Sequence, residues 1–278
     1  MSNPHLPPEI LDHVVDNLHD EPEALQNCCL VAKSWIPRTR KHLFANITFS
    51  LPKDIESWKE TFPDPSNSPA YHTHALSVKC PQVFMAADAE EGGWIHTFSR
   101  VVNLEVDSSK LYPNDSEVSL APFQGLSSTL KHLSVIFTRL PYRQIFGLIR
   151  FLPLLEDLVL TVYGIANNDD LYVPRTPTAI PSPSSPAFTG TLALIMLGGM
   201  EPAARGLLDL QNGLHFRNIT LTCFREDDIR WINALTVECS DTLESLGVNG
   251  ILFGAIVQFL RRNRHLTSVY RRFDTVFS

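Results

Sequence analysis

Cysteine is scarce in this chain of 278 residues: the five are Cys28, Cys29, Cys80, Cys223 and Cys239. The number is odd, no pair has C-x-x-C spacing, and the adjacent Cys28 and Cys29 cannot readily bridge each other. This pattern is not that of a disulfide scaffold, and reduced thiols in a cytosolic or nuclear compartment are expected. Long apolar runs are missing as well. The longest, near Leu192–Leu197, is far short of the roughly 20 residues of a membrane-spanning helix. No cationic stretch leads into an apolar one as in a signal peptide. Basic charge is in the minority, with 23 Lys and Arg against 30 Asp and Glu and a net charge of −7. That balance argues against broad binding to a phosphate backbone and leaves protein partners open. The motifs H-E-x-x-H, G-x-S-x-G, G-x-x-x-x-G-K-[ST] and G-x-G-x-x-G are all absent. No catalytic residue, cofactor or metal site is expected. His72 and His74 alternate as if on a strand face, but spacing places no third ligand beside them. Glu226, Asp227 and Asp228 read as the acidic first turn of a helix.

Apolar periodicity is plentiful. In LPPEILDHVVDNL, Pro7 and Pro8 suit a helix start, and Glu9 sits where the dipole favours it. Ile10, Leu11, Val14, Val15 and Leu18 recur at helical spacing, with Asp12, His13, Asp16 and Asn17 opposite. After a turn at 19–22, Leu25, Cys28, Cys29 and Ala32 mark a second helix ending near Trp35. Pro37 breaks the pattern again, and Arg38, Arg40 and Lys41 line the polar side of the next turn.

From about residue 70 a different period takes over. A short alternating apolar motif recurs, as in VVNLEV (101–106), LKHLSV (130–135), LEDLVL (155–160) and LESLGV (243–248). Its anchors are Leu76, Leu104, Leu133, Leu158, Leu192, Ile219, Leu246 and Val269, separated by 28, 29, 25, 34, 27, 27 and 23 residues. Alternation predicts a strand at each anchor. Helical patterns at 141–152, 200–211, 226–239 and 254–263 fall between them. A unit of this size cannot bury its own apolar faces, so stacked neighbours must do so, giving a parallel sheet with helices on the other side. The one long step holds Pro174, Pro177, Pro181, Pro183 and Pro186, which reads as an exposed, disordered insertion at about 165–188. Thr176, Ser182 and Ser185 in it each precede proline and are candidate phosphorylation sites. Arg261, Arg262, Arg264, Arg271 and Arg272 read either as a patch for an acidic or phosphorylated segment or as the polar cap of the last repeat.

Residues Leu6, Pro7, Glu9, Ile10, Leu11, Val15 and Leu18, followed by Leu25, Leu30, Val31, Lys33, Ser34 and Trp35, carry an LP-x-E-I-L … L-V-x-x-S-W framework. This framework resembles an F-box, and WIPRTRKHLF (35–44) is similar to its continuation in many fungal members. Ala32 stands where the family often has cysteine or serine. The later repeats resemble leucine-rich repeats, but Thr138, Tyr163 and Ile251 replace the asparagine that usually follows the core, so irregular turns are expected. The resemblance implies an α/β chain: a three-helix F-box over 1–48, a linker or short helix over 49–70, and a leucine-rich-repeat-like solenoid of parallel strands over 71–278, an arc or horseshoe. It further implies a non-enzymatic substrate receptor of an SCF-type ubiquitin ligase, acting in cytoplasm or nucleus. A Skp1-like adaptor, and through it cullin and a RING protein, would be held by Leu6, Pro7, Ile10, Leu11, Val15, Leu18, Leu25, Leu30, Val31 and Trp35, and a protein substrate by the repeats. The alternatives are a helical pair docked on the repeats, an F-box scaffold acting outside a ligase, and an α/β ligand-binding domain whose period comes from ordinary β-α-β units.

Overall fold

The computed structural model describes residues 7–79, 92–109, 120–138, 142–163, 188–210, 213–223, 225, 227–250 and 268–270. Three helices come first: α1 (Pro8–Asp16), α2 (Pro22–Val31) and α3 (Ile36–Leu43), with a 3-10 turn at Lys33–Trp35. Proline occupies the first turn of each helix, where a missing N–H leaves no bond unmade. Both α1 and α2 pack on α3.

Among the described residues nine strands form one sheet: β1 (Asn46–Phe49), β2 (Ala75–Val78), β3 (Asn103–Ser108), β4 (His132–Phe137), β5 (Asp157–Val162), β6 (Thr191–Met196), β7 (Asn218–Cys223), β8 (Ser245–Gly250) and β9 (Ser268–Tyr270). Their spatial order is their chain order, and every neighbouring pair is parallel. The eight apolar anchors read from the sequence are register partners in succession, Leu76 against Leu104, Leu104 against Leu133, and so on to Leu246 against Val269. Ile47 precedes them as a ninth, opposite Leu76. The sheet therefore starts at Asn46, inside the segment that the sequence assigned to the helical unit. A four-residue strand is too short to stand out as alternation.

The connectors are α4 (Pro52–Thr61), α5 (Tyr142–Ile149), α6 (Glu201–Leu208), α7 (Asp228–Glu238) and 3-10 segments that include Gly92–Thr97 and Ala121–Leu126. The helical patterns at 141–152, 200–211 and 226–239 correspond to α5, α6 and α7, while those at 254–263 and the arginines at 261–272 lie outside the described residues. So does the insertion at 165–188, apart from Phe188, which is buried. Segment 49–70, expected as a linker or short helix, carries α4: Ile55 is fully buried, and Trp58 packs edge-on against Phe44 and Phe49. Phe98 and Trp94 complete this aromatic group, which closes the β1 end of the core. Asp54 caps α4 by accepting the N–H groups of Ser50 and Leu51, each at 2.9 Å.

One face of each strand supplies the core. Leu104 and Val106, Leu133 and Val135, Leu158 and Leu160, and Leu192 and Leu194 are buried with Ile145, Phe146 and Ile149 of α5, Leu207 of α6 and Ile232 and Leu235 of α7. Close packing makes specific demands: a Cβ at Gly206 of α6 would lie 2.1 Å from the Phe146 ring. The intervening strand residues are mostly half-buried or exposed. Parallel sheets are ordinarily covered on both faces; the described helices and 3-10 segments cover one face of this one.

A backbone ladder ties the repeats together just before each strand. The carbonyl of His74 accepts the N–H groups of Val102 and Asn103, that of Val102 those of Lys131 and His132, and that of Lys131 those of Glu156 and Asp157, all at 2.8–3.0 Å. The same pattern recurs at Gly190 with Arg217 and Asn218 and at Arg217 with Glu244 and Ser245. Three threonines add a second rail. The hydroxyls of Thr73, Thr129 and Thr242 donate to the carbonyls of Phe44, Val101 and Phe216 in the preceding repeat, at 2.9, 2.7 and 3.2 Å. The turns after β4, β5 and β8, where asparagine was expected, lie outside the described residues beyond Thr138 and Tyr163.

Candidate interaction site

The helical unit does not share the main core. Its own interior consists of Val15, Leu25, Cys28 and Thr39, whereas the large cluster begins at Ile47. Polar clamping does much of the work. Asp16, at the end of α1, accepts the Arg38 Nε–H at 2.6 Å and a second Arg38 guanidinium hydrogen bond, and pairs with His42 Nε2 at 2.7 Å. The bonds from Arg38 and then His42 hold its carboxyl well below the usual carboxylate range. Arg38 and His42 are four apart on α3, so they reach one carboxylate together. Their separations of 22 and 26 residues from Asp16 hide the pairing in the sequence.

The expected adaptor residues divide by exposure. Val15 and Leu25 are buried, so they build the unit and a partner cannot reach them. Leu11, Leu18 and Trp35 are half-buried, Pro7 is exposed, and Leu6 lies outside the described residues. Ile10, Leu30 and Val31 expose 50%, 84% and 67% of their surface. Val14 was not among the expected contacts, but it is 44% exposed and lies one turn from Ile10 on the same side of α1. The hydrophobic count of the helix supplied its presence; only the packing of α1 on α3 shows which side is left over.

The second surface that the described residues leave open is the other face of the sheet. Its first row of register partners runs Asn46, Ala75, Asn103, His132, Asp157 and Thr191. His132 Nδ1 and Asp157 Oδ2 are 2.5 Å apart, and Asp157 Oδ1 accepts the Thr191 N–H. A Cβ at Gly190 would meet that carboxylate oxygen at 2.0 Å, so the close approach requires glycine. A shallow groove of about 260 Å³ lies over β1–β5, with Thr48, Ser77, Glu105, His132 and Ser134 among its lining.

Other sequence candidates fall elsewhere. His72 ends a 3-10 segment and His74 precedes β2, so they do not share a strand; burial, then Arg100 and Lys41, push His72 below the usual histidine value. No metal-binding group of His, Cys, Asp or Glu occurs among the described residues. Asp228 lies in the first turn of α7 but is buried, accepting the Met200 N–H at 2.8 Å, so it ties the start of α6 to α7. Cys28 and Cys239 are buried, and burial pushes the Cys239 thiol up to about 11. Thr176, Ser182 and Ser185 lie outside the described residues. No described helix is long and apolar enough to cross a membrane. The chain matches no family model, no curated protein and no solved structure.

Proposed function

We propose that this chain is the substrate-receptor subunit of an SCF-type ubiquitin ligase. Its helical unit, read as an F-box, binds a Skp1-like adaptor, and its repeats, read as a leucine-rich-repeat-like solenoid, hold a protein substrate. The chain acts by tethering rather than by catalysis: two bound modules raise the effective concentration of substrate lysines near the loaded conjugating enzyme. The observation that carries the reading is the exposure of Ile10, Val14, Leu30 and Val31 on a unit whose interior is already closed. Such apolar surface marks a partner site.

The solenoid reading draws support from the unbroken strand order and the in-register anchors. Strands sit about 4.8 Å apart, while helices pack at about 8–10 Å. A stack with helices on one side only must bend, with its open face inward. A doubly wound ligand-binding domain fits less well, because a monotonic order has no reversal point at which such sheets bind ligands.

Co-expression with a Skp1-like protein tests the reading. Wild type should co-purify with it, and Leu30→Asp with Val31→Asp should reduce the complex by roughly thirtyfold, as expected for hot spots of about 2 kcal/mol. Failure of the wild type to bind, or full binding by the variant, sinks the adaptor assignment. Recovery of cullin in the same complex separates a ligase subunit from an adaptor-bound scaffold.

A further inference from the structure

On the open face, the apolar residues are concentrated on β4–β6. Ile195 and Leu197 are 37% and 42% exposed, and Tyr163 is 53% exposed. Leu197 donates its N–H to the Val162 carbonyl, which sets it beside Tyr163. Ile136 and Val159 flank them half-buried, with Thr161 buried between Ile136 and Ile195 in register. Five large apolar side chains on three adjacent strands make a patch where an open sheet face would otherwise be polar.

The next strand on one side carries carboxylates. Asp107 and Glu105 of β3 are register partners of Ile136 and Ser134. Among the described residues Glu105 accepts the Ser77 hydroxyl, at 3.2 Å, and Asp107 the Ser109 N–H, at 2.9 Å. Among the described residues neither is ion-paired. Lys79, which follows β2 level with Asp107, is the nearest cation by register among the described residues, and His132 is held by Asp157. On the other side, β7 offers Thr220 and Thr222. The face is therefore apolar at its centre, anionic towards β3 and neutral towards β7.

We propose that this patch docks an extended peptide segment of the partner protein, with two apolar side chains over Tyr163, Ile195 and Leu197 and a lysine or arginine reaching Glu105 and Asp107. Calling that partner a ubiquitylation substrate rests on the function proposed above; its chemistry rests on the patch alone. Apolar contact supplies affinity, and the carboxylates select against acidic segments.

The test uses the full chain without any adaptor, on a peptide array in which paired aliphatic or aromatic residues are followed at varied distance by Lys-Arg. Matched arrays carry Glu-Glu for Lys-Arg, or Ser for the apolar pair. The wild type should prefer the first array to both others by about tenfold or more, with binding weakened by salt. Ile195→Ser with Leu197→Ser should remove the apolar preference. Glu105→Gln should reduce the charge preference, and Glu105→Lys with Asp107→Lys should transfer it to the Glu-Glu array, with thermal midpoints confirming folded variants. Equal binding to all arrays, or binding that the variants leave intact, overturns the proposal. So does absence of peptide binding accompanied by self-association that Ile195→Ser with Leu197→Ser abolishes, which would make a second copy the occupant. Peptide binding without adaptor binding would leave this proposal standing and remove the ligase reading; the reverse result would do the opposite.

Discussion

The helical unit at 7–43 and the sheet that follows use their apolar residues in opposite ways. In the sheet, successive strands place leucine on leucine at the same register position, and the resulting core is continuous from Ile47 to Val248. In the helical unit, few apolar side chains are buried, a half-exposed Asp16 clamped by Arg38 and His42 joins α1 to α3, and Ile10, Val14, Leu30 and Val31 are left exposed. The comparison separates apolar residues that fold the chain from those left over for a partner. Repetition makes the difference. A repeat finds its partner in the next repeat, whereas a three-helix unit has too little surface to bury all of its own.

Substitutions can break that contrast in order of effect. Leu158→Ala removes a fully buried anchor in the central strands and should cost about 2–5 kcal/mol in urea unfolding, whereas Leu30→Ala should leave stability within about 0.5 kcal/mol. Gly206→Ala drives a methyl group into Phe146 and should cost about 1–3 kcal/mol. Thr242→Val deletes one rung between repeats, worth about 1 kcal/mol, and hydrogen exchange should show the loss at the β7–β8 turns. Gly147 offers the opposite sign: a Cβ there meets no atom within 4 Å, so Gly147→Ala should stabilise α5 by about 0.5–1 kcal/mol.

The clamp gives the helical unit a pH signature of its own. A carboxyl with a depressed folded value contributes stability that is complete above its unfolded value of about 3.9 and is lost as pH falls towards the folded one. Exchange of the α1 amides should therefore accelerate below about pH 4, and Asp16→Asn should remove that acid-side transition. A transition undiminished in the variant would show that another group controls it.

Much of the sheet was legible beforehand, because alternation at a fixed period reports burial on one side and each anchor needs only its neighbour. Thr73, Thr129 and Thr242 were overlooked because a hydroxyl bonding into the previous repeat has no local pattern. Strand β1 escaped through its brevity, whereas α4 falls in the segment read as a linker or short helix; that its Ile55 and Trp58 seal the end of the core was not legible, because these buried contacts are few along the chain. In the candidate site, helical spacing identified the apolar residues of α1 and α2 but could not divide Val15 and Leu25 from Ile10 and Leu30.

By itself, the sequence determined the period, the strand anchors and the apolar character of α1 and α2, since these follow from residue type and spacing along one segment. Tertiary structure alone decided which apolar residues remained uncovered. Exposure depends on what the other segments cover: α3 takes Val15 and leaves Ile10, and the connectors cover one face of β4–β6 and leave Ile195 and Leu197 on the other.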